Sequence, residues 1–257
     1  MKLIIHDDCS TDGTKEIIEE YAAKYPDIIF PMFQKDNQYS KGIKPTWEFN
    51  FPRCRGKYIA MCEGDDYWTE PYKLQKQVDF LEENPEYHFS MGKVKFLKQR
   101  EGKMFEREER VNPNKKESYV LKDYLKGLFS QTSSFVFRNP NESYPSWVYN
   151  VHAGDQSLVV LNTGLKGKIK YHNEFFSIYR AHQNSVSNIK LDYNVYEKFL
   201  ETLDDWNLYL NKEYNLLFKV LKLKYRLEIK MQKAKSGYEK KLYGIIVKKI
   251  QEVIEFI

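Results

Sequence analysis

The chain has 257 residues, 42% of them hydrophobic and 16% aromatic, enough to bury roughly 70–75% of the surface its unfolded form exposes and to build one α/β core with a smaller addition. Its 41 basic and 36 acidic residues leave a net charge of +5, which suits an anionic ligand or an acidic membrane surface but is no nucleic-acid signature. Cys9, Cys54 and Cys62 have no metal-ligand spacing and argue against a disulfide framework. No run reaches the roughly 18 apolar residues that cross a bilayer, so a cytoplasmic, reducing location is expected.

Residues 2–6, Lys-Leu-Ile-Ile-His, read as a short buried strand running into Asp7-Asp8-Cys9-Ser10-Thr11-Asp12-Gly13-Thr14. Ile17, Ile18, Tyr21, Ala22 and Tyr25 then recur at helical spacing, so the turn caps an amphipathic helix. Capping accounts for Ser10, Thr11 and Asp12. It does not account for Asp7 and Asp8, which lie at the strand's carboxyl end, where open α/β sheets collect their ligands. Residues 27–33 predict a further strand, followed by a polar loop carrying Lys41 and Lys44 and by a helix after Pro45. Either lysine could neutralise a phosphate or simply be solvated.

Residues 57–62, Lys-Tyr-Ile-Ala-Met-Cys, are apolar without alternation, as in a strand covered on both faces, with Cys62 a small core residue. This strand delivers Glu63-Gly64-Asp65-Asp66-Tyr67-Trp68. Adjacent Asp side chains repel by about 4 kcal/mol at about 4 Å in an effective dielectric of about 20 unless a cation or water intervenes. A divalent cation is the natural resident.

A helix is predicted over 71–83 with Leu74, Val78 and Leu81 inward. Beyond it, residues 87–117 read as a strand and a mixed-charge excursion, 119–129 as a helix, and 133–138 as a return strand whose small residues could floor a cleft. Asp155 stands where the N-cap of a helix over 156–165 belongs. A long strand over 168–180 ends in Tyr179-Arg180-Ala181-His182. From about residue 191 the chain predicts two or three amphipathic helices, interrupted at Ser236-Gly237. They could pack on the rest of the chain, self-associate, or rest a basic face on anionic lipid.

The two acidic motifs, in this order and these contexts, resemble the family-2 glycosyltransferases of the GT-A fold. Asp7 to Thr14 is similar to the family's Asp-Asp-x-Ser-Thr-Asp-Gly-Thr segment. Glu63 to Trp68, with Lys73-Leu74-Gln75-Lys76-Gln77, resembles the subgroup whose metal motif reads Glu-Gly-Asp-Asp-Tyr-Trp. The resemblance covers roughly residues 1 to 185. Members normally begin with an additional strand and helix, and this chain starts at what would be the second strand.

The resemblance implies an α/β protein with a GT-A, Rossmann-like mixed sheet flanked by helices and a catalytic domain over 1–190, to which the apolar periodicity adds a helical extension over 191–257. It implies sugar transfer, with inversion, from a nucleoside diphosphate donor, a UDP-sugar, to a saccharide or lipid-linked acceptor, with Mg²⁺ or Mn²⁺. Asp7, Asp8, Lys41 and Asp65 would bind the nucleotide-sugar, and Asp66 and His182 would hold the metal. Asp155 would be the general base that takes the acceptor proton, a step such a carboxylate speeds by about 10² to 10⁴. Trp68 would stack on the acceptor sugar, and Arg180 would offer a charged fork to acceptor or diphosphate. A nucleotide-binding remnant without activity and a metal-dependent nucleotidyltransferase are the other readings, although no Gly-rich phosphate loop with a trailing Lys supports the latter. Cytoplasmic location, either free or peripheral at the membrane's inner face, completes the expectation.

Overall fold

The computed structural model describes residues 1–100, 103–107, 116–127, 131–140, 144–151, 154–164, 167–181 and 193–257. The expected domain boundary near residue 190 lies outside the described residues. Two compact units are formed, one from Met1–Ile59 with Arg138–Asn150, the other from Ala60–Phe137 with Val151–Ile257.

In the first unit, β1 (Leu3–Asp7) and β2 (Ile29–Phe33) pair in parallel, Leu3 opposite Ile29 and Asp7 opposite Phe33. Parallel neighbours need a crossover, and α1 (Thr14–Lys24) supplies it. Gly13 adopts φ 86° to turn the chain into α1, a conformation cheap only without a Cβ. Capping falls to Asp12, whose Oδ1 accepts from the Thr14 N–H at 3.2 Å and the Thr14 hydroxyl at 2.6 Å. The expectation of a buried first strand is corrected: only Asp7 of β1 is buried, and Leu3 is 43% exposed. α1 likewise buries none of its residues, Ile17 being 59% exposed.

The segment after Pro45 forms a π-helical turn, Thr46–Asn50, then a 3-10 turn, Phe51–Arg53. Pro52 lacks the N–H that a continuing α-ladder would use. The irregular turns nevertheless bury Trp47 and Phe51, which meet edge to face at 4.9 Å with Tyr144 beside both.

The second unit carries a mixed sheet built from β3 (Tyr58–Ala60), β4 (Tyr67–Trp68), β5 (Tyr87–Arg100), β6 (Lys103–Arg107), β7 (Ser118–Val120), β8 (Val136–Arg138) and β9 (Lys168–Ala181). The order is β3-β8-β5-β9-β4, with β6 on β5 and β7 on β9; the division between units falls within β3 and β8. β5 and β9 run parallel along most of their length, while β8 is antiparallel to β5, and β4 and β7 are antiparallel to β9. Phe89, Met91, Ile169 and Phe176 from the central pair are fully buried, and Phe89 packs between Phe135 and Phe137.

Three expectations change here. β3 is short and not covered on both faces: Ile59 is buried, Ala60 is exposed, and Cys62 lies beyond the strand as an exposed residue rather than in the core. The predicted helix over 119–129 is instead β7 followed by the short α3 (Leu121–Leu125). Tyr119 is drawn into the sheet opposite Ile169, and the Asp123 carboxylate accepts from the Val120 N–H at 3.0 Å to start the helix. In α2 (Lys73–Glu83) the buried residues are Lys73, Gln77 and Leu81; Leu74 and Val78 are half-buried.

α4 (Gly154–Thr163) precedes β9, and the predicted C-terminal helices number three: α5 (Tyr193–Tyr209), α6 (Asn215–Lys233) and α7 (Gly237–Phe256). The Ser236-Gly237 break is a helix start, the Ser236 hydroxyl accepting from the Glu239 N–H at 3.1 Å. Trp206, Leu210, Leu217, Phe218 and Ile254 are buried among these helices, which belong to the second compact unit.

Candidate active site

At the end of β1 the two acids do different work. Asp7 is 4% exposed; its Oδ2 accepts from the Ser10 N–H at 3.1 Å, while its buried Oδ1 has no hydrogen-bond partner among the described residues. Asp8 uses both oxygens on backbone, Oδ1 accepting from Gln38 N–H at 2.8 Å and Oδ2 from Tyr39 N–H at 2.9 Å. Cys9 turns the chain between them and the helix with φ 67°. Asp8 thus fastens the 37–41 loop to the strand end, and Lys41 on that loop pairs with Asp36 at 3.2 Å, both side chains exposed. His6 stacks on Phe49 at 5.1 Å, and burial lowers its pKa.

The second motif is a tight acidic turn. The Asp66 N–H donates to Glu63 O at 3.1 Å, and the chain then enters β4, where Tyr67 lies opposite Ile178 and Trp68 opposite Ser177 on β9. β9 clamps the turn through Arg180, whose backbone N–H donates to Asp66 Oδ1 at 3.0 Å and whose Nε donates to Asp65 O. From below, Ser133 hydrogen-bonds the Asp66 carboxylate and Thr132 that of Glu63. The Trp68 indole N–H donates to Ser133 O at 2.8 Å, and the Ser133 and Ser177 hydroxyls meet at 3.0 Å.

Enclosure of these carboxyls disfavours their charged forms. Burial pushes Asp66 up to about 6 against the Arg180 N–H, with Asp65 adding to the rise. Glu63, exposed as a residue but with its carboxyl packed among protein atoms, is pushed up to about 7 by burial, with Asp66 and Asp65 contributing. Cys62, likewise exposed as a residue but with its thiol turned against protein atoms, is pushed up to about 12 by burial, with the neighbouring acids reinforcing it. The turn is a place where negative charge is costly and a cation relieves the cost. Among the described residues no group of three or more His, Cys, Asp or Glu side chains is arranged to hold a metal ion. Two carboxylates, Asp65 and Asp66, would be enough only for a cation that takes most of its ligands from phosphate oxygens and water.

Asp65, Asp66, Trp68 and Arg180 come together in this second unit; in the first, Asp7 and Asp8 end β1, and Lys41 lies on the loop that Asp8 holds, its ammonium paired with Asp36. Asp155 is the second residue of α4. His182 lies outside the described residues. Sequence reasoning gave no role to Glu63, Thr132 or Ser177, nor to the buried Lys73, and gave Ser133 only the floor of a cleft. The available signals were the first letter of the acidic motif, a run of small polar residues, and the spacing Lys73-Gln77-Leu81, which marks one helix face as clearly as the leucines do.

The acidic turns at strand ends and the mixed α/β architecture, with a central mixed sheet and a C-terminal helical region, are consistent with the GT-A fold. Residues 1–144 match Glycosyl transferase family 2, and the chain belongs to that family. An uncharacterised protein of Mycobacterium tuberculosis is 34% identical over 203 residues, covering 79% of this chain and 56% of the relative. An uncharacterised glycosyltransferase of Nostoc sp. is 25% identical over 189 residues, 71% of this chain and 56% of the relative. The UDP-Glc:alpha-D-GlcNAc-diphosphoundecaprenol beta-1,3-glucosyltransferase of Escherichia coli is 33% identical over 82 residues, 32% of this chain and 30% of that enzyme. The chain spans little more than half the length of the longer-matching relatives. Among the described residues, no helix is long and apolar enough to cross a membrane.

Proposed function

We propose that this protein transfers a sugar from a UDP-sugar to a hydroxyl of a saccharide acceptor, with inversion at the anomeric carbon and dependence on Mg²⁺ or Mn²⁺. The observation that carries the reading is the 63–66 turn, where the Arg180 N–H fixes the Asp66 carboxylate at 3.0 Å next to Asp65 and burial penalises its charge. Carboxylates penalised in this way gain when a cation arrives.

Asp66 is assigned as the main protein ligand of that cation, with Asp65 at the cation or the ribose and His182 as a further ligand. When bound, the ion supplies positive charge for the diphosphate that departs. Asp7 and Asp8 are assigned to the nucleotide; the unpartnered Asp7 Oδ1 is buried and accepts from a ribose or base N–H or O–H only when the strand end opens to admit it. Asp8 is already engaged by two amides, so its role is to hold the 37–41 loop in shape while a remaining lone pair serves the nucleotide. Lys41 exchanges its exposed partner Asp36 for a phosphate. Trp68 offers its ring to the acceptor sugar, and Arg180, which braces the turn, extends its guanidinium beside it. Asp155 takes the proton from the acceptor hydroxyl as that oxygen attacks the anomeric carbon.

The name of the Escherichia coli relative makes a lipid-diphosphate-linked saccharide the first acceptor to test, and polysaccharide assembly at the inner membrane face the setting. The C-terminal helices, basic and apolar by turns, would then meet lipid or a second copy.

Calorimetric titration of UDP with and without Mn²⁺ tests the donor half: metal-dependent heat is expected, and Asp66→Ala should abolish it. Asp155→Asn should keep donor affinity and lose transfer from UDP-glucose to a GlcNAc-diphospholipid. No heat under any metal condition would reduce the chain to a family member that does not bind this donor.

A further inference from the structure

Lys73, the first residue of α2, is 1% exposed, yet its Nζ has no hydrogen-bond partner among the described residues. It sits 4.5 Å from the centroid of the Trp68 ring and 6.0 Å from that of Phe176. Its position is costly in three ways: the ammonium is out of water, which pulls its pKa down to about 7, it has no hydrogen-bond acceptor among the described residues, and it stands at the positive end of a helix dipole. A leucine or methionine would fill the same volume without those costs. What an apolar residue cannot supply is a cation against an aromatic face, strongest for an indole and strengthened by desolvation.

The ring it holds is not isolated. The Trp68 N–H donates to Ser133 O at 2.8 Å, Ser133 hydrogen-bonds the Asp66 carboxylate, and the Ser133 hydroxyl meets that of Ser177, the residue opposite Trp68 on β9. One helical turn on, Gln77 is 0% exposed and donates to Ser90 Oγ and Ser134 O, each at 3.0 Å, tying the same helix face to the segment beneath the turn.

We propose that Lys73 is a positioning residue: its buried ammonium pins the inner face of Trp68 and, through the indole's bond to the Ser133 backbone, keeps the Asp66 carboxylate aligned. The inference rests on the reading above of Asp66 as cation ligand and Trp68 as acceptor platform. Lys73 itself touches no substrate. Its removal frees the ring to tilt, and the Ser133 segment loses the anchor that orients it.

The test, run at about pH 6.5 where the Lys73 amine is mostly protonated, compares Lys73→Met, one side-chain atom shorter and uncharged, with Lys73→Arg, which keeps the cation. Trp68 emission is isolated by subtracting the spectrum of each variant combined with Trp68→Phe, and acrylamide quenching is read on the same difference. Lys73→Met is expected to keep or raise the melting temperature, because a buried charge is gone, while Trp68 shifts its emission and becomes several-fold more quenchable. Mn²⁺-dependent UDP binding is expected to weaken about tenfold, and Lys73→Arg to restore both signals. A purely structural lysine would move the melting temperature and leave Trp68 and Mn²⁺–UDP affinity as they are, which overturns the proposal. So does Lys73→Arg failing as completely as Lys73→Met. Should Lys73→Met not fold, Lys73→Arg alone decides: retained signals support the role and lost signals refute it. The fluorescence arm needs no metal or nucleotide, so absence of UDP binding in the wild type would sink the functional reading without deciding this one.

Discussion

Asp66→Asn isolates the electrostatic cost of the acidic turn. The carboxyl rises from 3.8 to about 6, chiefly through burial; two pKa units correspond to about 3 kcal/mol, which screening of a part-exposed group cuts to about 1–2 kcal/mol. Because the folded state binds the proton more tightly than the unfolded chain, wild-type stability falls as pH rises from about 4 to about 6. Above that window the full penalty is present, and below it none is. Asparagine keeps an oxygen for the Arg180 N–H, 3.0 Å away, and removes the charge. At pH 8 the variant should therefore be more stable by about 1–2 kcal/mol, an upward shift of about 3–6 °C in melting temperature for a chain of this size. Part of the gain passes through Glu63, whose own rise Asp66 contributes to. The assay is thermal unfolding of both proteins at pH 8 and pH 4, without divalent metal. An equal difference at the two pH values, or no gain at pH 8, would refute the claim that the turn carries uncompensated negative charge.

Two further substitutions probe the scaffold around the motifs. Asp8→Ala removes the acceptor for two backbone amides and should cost about 1–3 kcal/mol, with faster amide exchange confined to residues 37–41; unchanged exchange there would mean that the loop does not depend on the carboxylate. Gly92→Ala places a Cβ 2.6 Å from the buried Phe176 ring, and overpacking of this kind should cost about 1–3 kcal/mol; chemical denaturation showing no loss would mean that the β5–β9 pair yields more readily than its packing suggests.

Much of this protein is legible in order and type. Apolar runs ending in acids give the strand ends, Gly13 and Asp12 mark the start of α1, and Ser236-Gly237 marks the start of α7, because these signals act over one or two turns of chain. The interior of α2 was misread because Leu74, Val78 and Leu81 satisfy a helical period, and Lys73-Gln77-Leu81 satisfies it too. Periodicity cannot rank two stripes when one contains polar residues whose partners lie far along the chain. Gln77 finds Ser134 and Lys73 finds Phe176 only after folding. The segment 119–129 shows the same limit, since Tyr119 enters the sheet once Ile169 offers it a register partner.

The sequence by itself determined the chemistry on offer: which acids stand at which strand ends, in what order, and hence the family. Tertiary structure decided what each acid can do there. Asp7 keeps an oxygen unpartnered, Asp8 is occupied by backbone, and Asp66 is clamped by Arg180 and pressed toward neutrality. The physical reason is that identity and spacing are local properties of the chain, whereas desolvation and hydrogen-bond supply depend on neighbours brought from tens to more than a hundred residues away.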